Sequence, residues 1–111
     1  MNIAFYDCRD YTAQEILAFM IKKNPSLRQR AERRRVYVGA SGNVAERLYR
    51  HNARERLLFC VRTAHRNVAA AVERLAREMG FCIGNVEWGG CGTNSHSIFV
   101  YAYRMGAATI E

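Results

Sequence analysis

The sequence lacks the features that mark membrane-spanning, secreted and zinc-binding proteins. No apolar run approaches the roughly 20 residues that a membrane-spanning helix requires. Asp7, Arg9 and Asp10 place charge where a signal peptide needs an unbroken apolar stretch. The four cysteines form no C-x-x-C pair and have no histidine at zinc-ligand spacing. We therefore expect an intracellular, cytoplasmic protein with reduced cysteines and no membrane partner.

Lysine and acidic residues are also scarce, so that arginine dominates the charge. The net charge is +7, and 15 of the 17 basic residues are arginine. Five of them fall in the segment "RQRAERRR", namely Arg28, Arg30, Arg33, Arg34 and Arg35. A guanidinium group binds phosphate through a planar fork and sheds water more easily than an ammonium group. The segment favours a nucleic-acid partner, although a solvated charged face in an arginine-rich chain is the alternative.

Local patterns predict an ordered alternation of helices and strands. "TAQE" has the form of a capping box, and the apolar stripe after it predicts a helix over residues 13–23 that ends before Pro25. Asn43 caps a second helix, and a third should run over residues 67–79 and end at Gly80. Strands are predicted in the segments "NIAFY", "RRVYVG", "RLLFCVRT" and "SIFVYAYR".

These elements predict a single α+β domain over residues 1–111. The chain is long enough to bury one core without disulfide support. We expect a small antiparallel or mixed sheet of three to four strands, flanked by helices. Residues 1–34 would form a helical, basic N-terminal extension, residues 35–86 the central part, and residues 87–111 a glycine loop followed by the terminal strand.

One part of the sequence resembles the GIY-YIG nuclease superfamily. The strand "VYVG" is followed by Arg47 eight residues after its glycine, and by His51 four residues later. The segment "AAVERLAREMGFCIGN" then offers Glu73 and Asn85, which is similar to the glutamate helix and the asparagine loop of that superfamily. The resemblance covers about residues 34–85. The glycine loop and the "FVYAY" strand resemble small phage-type members with a rearranged first strand.

The resemblance implies a metal-dependent nuclease acting on nucleic acid, with DNA favoured. Tyr37 would orient or deprotonate the attacking water, and Arg47 and His51 would bind the scissile phosphate. Glu73 would hold one Mg²⁺ or Mn²⁺, because a hard cation prefers a carboxylate oxygen. Gly39 and Asn85 would be structural. Taken singly, each of these residues is also compatible with an ordinary role in packing, on a helix surface or in a turn.

The tyrosine of the missing GIY strand has two candidates. Tyr6 lies in an early apolar run, but its use would require a whole helix inserted into a hairpin. Tyr101 lies in the terminal strand, which we expect to pair beside residues 36–39 with Tyr101 directly across from Tyr37. Tyr103 is the reserve candidate on the same face. We favour Tyr101. The competing hypothesis for function is a non-catalytic nucleic-acid-binding or interaction module with the same fold.

Overall fold

The computed structural model describes residues 3–84 and 97–111. The helices are α1 (Ala13–Lys23), α2 (Arg30–Arg33), α3 (Val44–His51) and α4 (Arg66–Glu78), with short 3₁₀ helices at Pro25–Arg28 and Arg54–Arg56. The strands are β1 (Tyr6–Asp7), β2 (Val36–Ser41), β3 (Leu57–Arg62), β4 (Cys82–Ile83) and β5 (Phe99–Arg104). Within the described ranges, no helix has the length and apolar character needed to cross a membrane.

Among the described residues, the sheet is mixed and has five strands in the order β1-β3-β5-β2-β4. The α+β class is confirmed, but the expected count of three to four strands is wrong. The additional strand is β4, which has only two residues and pairs in parallel with β2. The other edge strand, β1, also has two residues, begins at the end of the predicted segment "NIAFY" and pairs in parallel with β3. A strand as short as β4 is defined by its pairing rather than by a sequence pattern, so alternation along the chain does not reveal it. The last strand, β5, is central and antiparallel to both of its neighbours.

The two faces of the sheet are covered by different helices. One face, here called the aliphatic face, carries Val36, Val38, Val61, Val100 and Ala102 and packs against α1 and α4. The other, here called the tyrosine face, packs against α3 and carries Tyr37, Cys60, Tyr101 and Tyr103. Since side chains alternate along a strand, each central strand contributes to both cores.

The helix ends follow the expected capping chemistry. Thr12 and Glu15 form a reciprocal capping box at the start of α1, which spans the predicted residues. The Asn43 side chain accepts a hydrogen bond from the amide of Glu46 at 3.1 Å, as predicted for an N-cap of α3. Gly80 follows α4 with a φ of +100°, a conformation that favours glycine, and the amide of Phe81 reaches back to Ala76.

Two arginines of the basic segment form hydrogen bonds with backbone carbonyl groups of neighbouring elements. Arg33 donates hydrogen bonds to the carbonyls of Leu27 at 2.7 Å and Met79 at 3.2 Å, and Arg30 donates to the carbonyl of Glu78 at 3.3 Å. The carbonyl groups at the end of a helix lack partners within the helix and attract positive charge. Arg30 and Arg33 therefore join α2 to the end of α4, although both belong to the predicted nucleic-acid-binding group.

Candidate functional site

Four aromatic side chains gather beneath α3 on the tyrosine face. We call Tyr37, His51, Tyr101 and Tyr103 the Tyr–His cluster. The ring of Tyr37 lies 4.8 Å from that of His51 and 5.1 Å from that of Tyr103, measured between centroids. The relative exposure of these side chains is between 0% and 8%. The structure thus brings together Tyr37, His51 and Tyr101 of the predicted site, but inside the protein.

Both ring nitrogens of His51 are engaged by other parts of the chain. Nδ1 lies 2.7 Å from the carbonyl oxygen of Ile110, and Nε2 lies 3.0 Å from the hydroxyl of Tyr101. A carbonyl oxygen can only accept, so in the neutral ring Nδ1 carries the proton and Nε2 accepts from the tyrosine. These two bonds fix the tautomer and the orientation of the ring.

A short segment after β5, residues 105–111, covers the Tyr–His cluster, and we call it the C-terminal strap. The amide of Ile110 donates to the carbonyl of His51 at 2.7 Å, and the side chain of Asn52 donates to the carbonyl of Ala108 at 3.1 Å. The hydroxyl of Tyr103 donates to the Glu111 carboxylate at 2.9 Å. Burial, followed by this hydrogen bond, raises the pKa of Tyr103 above its usual range. Tyr103 is therefore a neutral donor and not a phenolate.

The position of β5 shows which candidate tyrosine, Tyr6 or Tyr101, lies on a strand next to that of Tyr37. β5 pairs with β2, as predicted, whereas Tyr6 lies in β1 and pairs with β3 at the far edge of the sheet. The residue directly opposite Tyr37 is Tyr103, and Tyr101 lies opposite Gly39. The predicted register is wrong by two residues. Tyr101 nevertheless stays on the same face, with its ring centroid 6.3 Å from that of Tyr37.

The glycine of the "VYVG" strand has a packing role in this arrangement. A Cβ atom at Gly39 would lie 2.6 Å from the hydroxyl oxygen of Tyr101 and 2.7 Å from the ring carbon that bears it. Gly84 plays the same part for Tyr37, because a Cβ there would lie 2.8 Å from the Tyr37 hydroxyl. All three distances are shorter than van der Waals contact, so the tyrosine rings occupy the space that a side chain would take at these glycines.

Arg47 lies on α3 with His51 but lines a different part of the surface. It is half-buried in a polar cavity of about 380 Å³ near the start of the helix. The described lining residues of this cavity are Ser41, Gly42, Asn43, Glu46, Arg47, Arg50 and Ser97. His51 lies at the other end of α3, under the C-terminal strap. The predicted pair of phosphate-binding side chains is thus divided between an open cavity and a closed cluster.

Glu73 is buried on α4, in the helix stripe that also contains Val72 and Ala76. α4 covers the aliphatic face, so the sheet lies between this helix and α3, which carries Arg47 and His51. Asn85 lies outside the described residues. No group of three or more His, Cys, Asp or Glu side chains within residues 3–84 and 97–111 is arranged to hold a metal ion. Because Glu73 and the α3 side chains lie on opposite faces of the sheet, the described residues do not fit a Mg²⁺ ion shared between them.

The chemistry available to the Tyr–His cluster is therefore limited in this conformation. A base or nucleophile must reach the reacting atom of the substrate, directly or through one water. Here His51 is saturated by internal hydrogen bonds, and the tyrosine hydroxyls lie beneath α3 and the C-terminal strap. The register and the strap were not predictable from local pattern, since both depend on pairings made far apart in sequence.

Comparisons with protein-family models, with curated proteins and with solved structures found no match to this chain. The relation to the GIY-YIG superfamily therefore stays a prediction that rests on the order and spacing of the residues.

Proposed function

We propose that the protein binds nucleic acid through an arginine-rich surface at one end of its sheet. The observation that carries this proposal is the convergence of three separate chain segments. Arg35 precedes β2, whose first residue pairs with Arg104 at the end of β5. The 3₁₀ helix containing Arg54 and Arg56 precedes β3, whose first residue pairs with Tyr103. We call the surface formed by Arg34, Arg35, Arg54, Arg56 and Arg104 the basic end.

The basic end has more positive than negative charge. Arg34 and Arg35 are exposed. Within the described part of the chain, their side chains make no hydrogen bond or ion pair. Arg104 forms an ion pair with Glu32 at 3.3 Å, and Arg56 is held by hydrogen bonds to the carbonyls of Arg104 and Met105. Guanidinium groups fixed in this way present a phosphate backbone with positive charge at little further entropic cost.

Salt dependence tests this proposal directly. Fluorescence anisotropy with labelled oligonucleotides at several salt concentrations should give an affinity that falls linearly in log–log form. Replacing Arg34 and Arg35 with alanine should flatten the slope by about 0.9 for each phosphate that the variant no longer neutralises. The matched control is R66A/R74A, which removes the same charge from exposed positions of α4. Equal slopes for the two double variants would contradict a role for the basic end.

A metal-dependent nuclease is the second candidate, favoured by the meeting of Tyr37, His51 and Tyr101 under one helix. Plasmid, single-stranded DNA and RNA should be incubated with the protein in Mg²⁺, Mn²⁺ or EDTA. Metal-dependent cleavage that is lost in Tyr37→Phe and kept in Tyr11→Phe, an exposed tyrosine outside the Tyr–His cluster, would support this activity. Binding that persists in EDTA without cleavage in either metal would exclude it.

A further inference from the structure

A large surface cavity adjoins the basic end and contains a strongly exposed tyrosine. Its volume is about 700 Å³, within the range of ligand pockets. The lining residues are Tyr49, Asn52, Arg54, Glu55, Arg56 and Ala108. The Tyr49 side chain is 73% exposed, more than any other large hydrophobic side chain among the described residues. Neither the Tyr–His cluster nor the predicted catalytic group includes any of these residues.

We propose that this cavity binds one unpaired nucleotide, with its base stacked on Tyr49 and its phosphate on the neighbouring arginines. The proposal rests on the proposed function and specifies it: the protein would prefer single-stranded nucleic acid. An aromatic ring in a basic groove is the common means by which proteins hold unpaired bases, because every base offers a π-face. A base within a duplex is already stacked between its neighbours and cannot reach such a ring.

The composition of the cavity favours a nucleotide over a simple anion. Arg54 and Arg56 supply positive charge, but Glu55 places a carboxylate in the same lining. The Glu55 carboxylate weakens the attraction of this cavity for a simple anion. It can, however, accept a hydrogen bond from an amino group on the edge of a base. An arrangement of one ring, two cations and one acceptor therefore matches a base together with its own phosphate.

The walls of the cavity are held in place before any ligand arrives. Two hydrogen bonds from the Arg56 guanidinium reach the carbonyls of Arg104 and Met105. Asn52 adopts a left-handed conformation at the end of α3, and its side chain is tied to the carbonyl of Ala108. Because these hydrogen bonds already restrict the side chains, binding costs little additional conformational entropy.

The test compares one oligonucleotide as a single strand and annealed to its complement. Tyr49→Ala should weaken single-strand binding by roughly five- to 150-fold, the range expected for the loss of one stacked base. Its effect on duplex binding should be less than about twofold, because the arginines still bind phosphate. Tyr49→Phe keeps the ring and should bind within about twofold of the wild type. Circular dichroism should be unchanged, since the residue is exposed.

Tyr11→Ala is the matched control, because Tyr11 is another exposed tyrosine and precedes α1 on the opposite face of the sheet. It should leave both affinities unchanged. In a second measurement, an oligonucleotide containing a fluorescent adenine analogue should be quenched by the wild type and by Tyr49→Phe, but not by Tyr49→Ala.

The outcomes separate this inference from the proposed function. If the wild type binds nucleic acid and Tyr49→Ala binds single strands equally well, the nucleotide cavity is refuted and the basic end remains. If the wild type binds neither form, the proposed function fails and the cavity proposal fails with it.

Discussion

The aliphatic and tyrosine faces of the sheet are built from alternate residues of the same strands, yet they are stabilised differently. The aliphatic face packs residues such as Val38, Val61 and Ile16, which have no side-chain polar groups to satisfy. The tyrosine face buries hydroxyl groups and an imidazole, each of which needs a hydrogen-bond partner. Apart from the buried carboxyl group of Glu73 on α4, the stability of the aliphatic face depends on how its side chains fill the available volume. The tyrosine face depends in addition on specific partners supplied by α3 and by the C-terminal strap.

The largest expected effect is a cavity on the aliphatic face. Leu17 of α1 is 1% exposed and belongs to the core against the sheet. Leu17→Ala should lower the free energy of unfolding by about 2–5 kcal/mol, through reduced burial and the space left behind. Urea denaturation measures the change. Gln14→Ala, an exposed position of the same helix, is the control and should change stability by less than about 0.5 kcal/mol.

A smaller loss is expected when one methyl group is added to the tyrosine face. In Gly39→Ala the new Cβ would overlap the hydroxyl group of Tyr101, a side chain that is 1% exposed. Overpacking of this kind costs about 1–3 kcal/mol. Gly42→Ala, in the exposed turn after β2, provides the comparison. Equal unfolding free energies for the two variants would mean that the tyrosine face is not tightly packed.

The smallest expected effect concerns a single hydroxyl group. Tyr103→Phe removes the hydrogen bond to Glu111 and should cost about 1 kcal/mol near neutral pH. Because the pKa of Tyr103 is raised in the folded state, its contribution is complete below the ordinary pKa of 10.0 and is lost as the pH rises above that value. The variant should therefore lose stability less steeply than the wild type above about pH 10.

Urea denaturation at a series of alkaline pH values would measure the difference between the two proteins. Burial also raises the pKa of Cys60 to about 12 from 9.0, so both proteins should share a decline that begins near pH 9.0. If the unfolding free energies of the two proteins fall equally steeply above about pH 10, Tyr103 has the same pKa in the folded and unfolded chains.

The sequence predicts the helices well and the sheet only in part, for physical reasons. α1 begins at its capping box and ends before Pro25, as local chemistry requires. The pairing of β5 with β2 is predicted by the resemblance to the GIY-YIG superfamily, which implies two tyrosines on adjacent strands, and the structure confirms the pairing. The register is not predictable, since it depends on Gly39 leaving space for the ring of Tyr101 rather than for Tyr103.

The candidate site, like the sheet, could be predicted from the sequence only in part. Sequence order places Glu73 after Arg47 and His51, but order does not determine which face of a sheet a helix covers. Similarly, the sequence predicts that Arg33 is an exposed phosphate ligand, because it lies in an arginine-rich segment. Its guanidinium instead reaches the carbonyl of Met79, 46 residues away, and only the folded chain reveals that hydrogen bond.

The central position of β5 has a consequence for how the chain folds. Without β5, the described strands form two separate pairs, β1 with β3 and β2 with β4, and none of these strands joins one pair to the other. Each pair alone is too small to be stable in water. Folding should therefore be all-or-none and limited by the closure of long loops, so that refolding monitored by stopped-flow fluorescence should follow a single slow exponential.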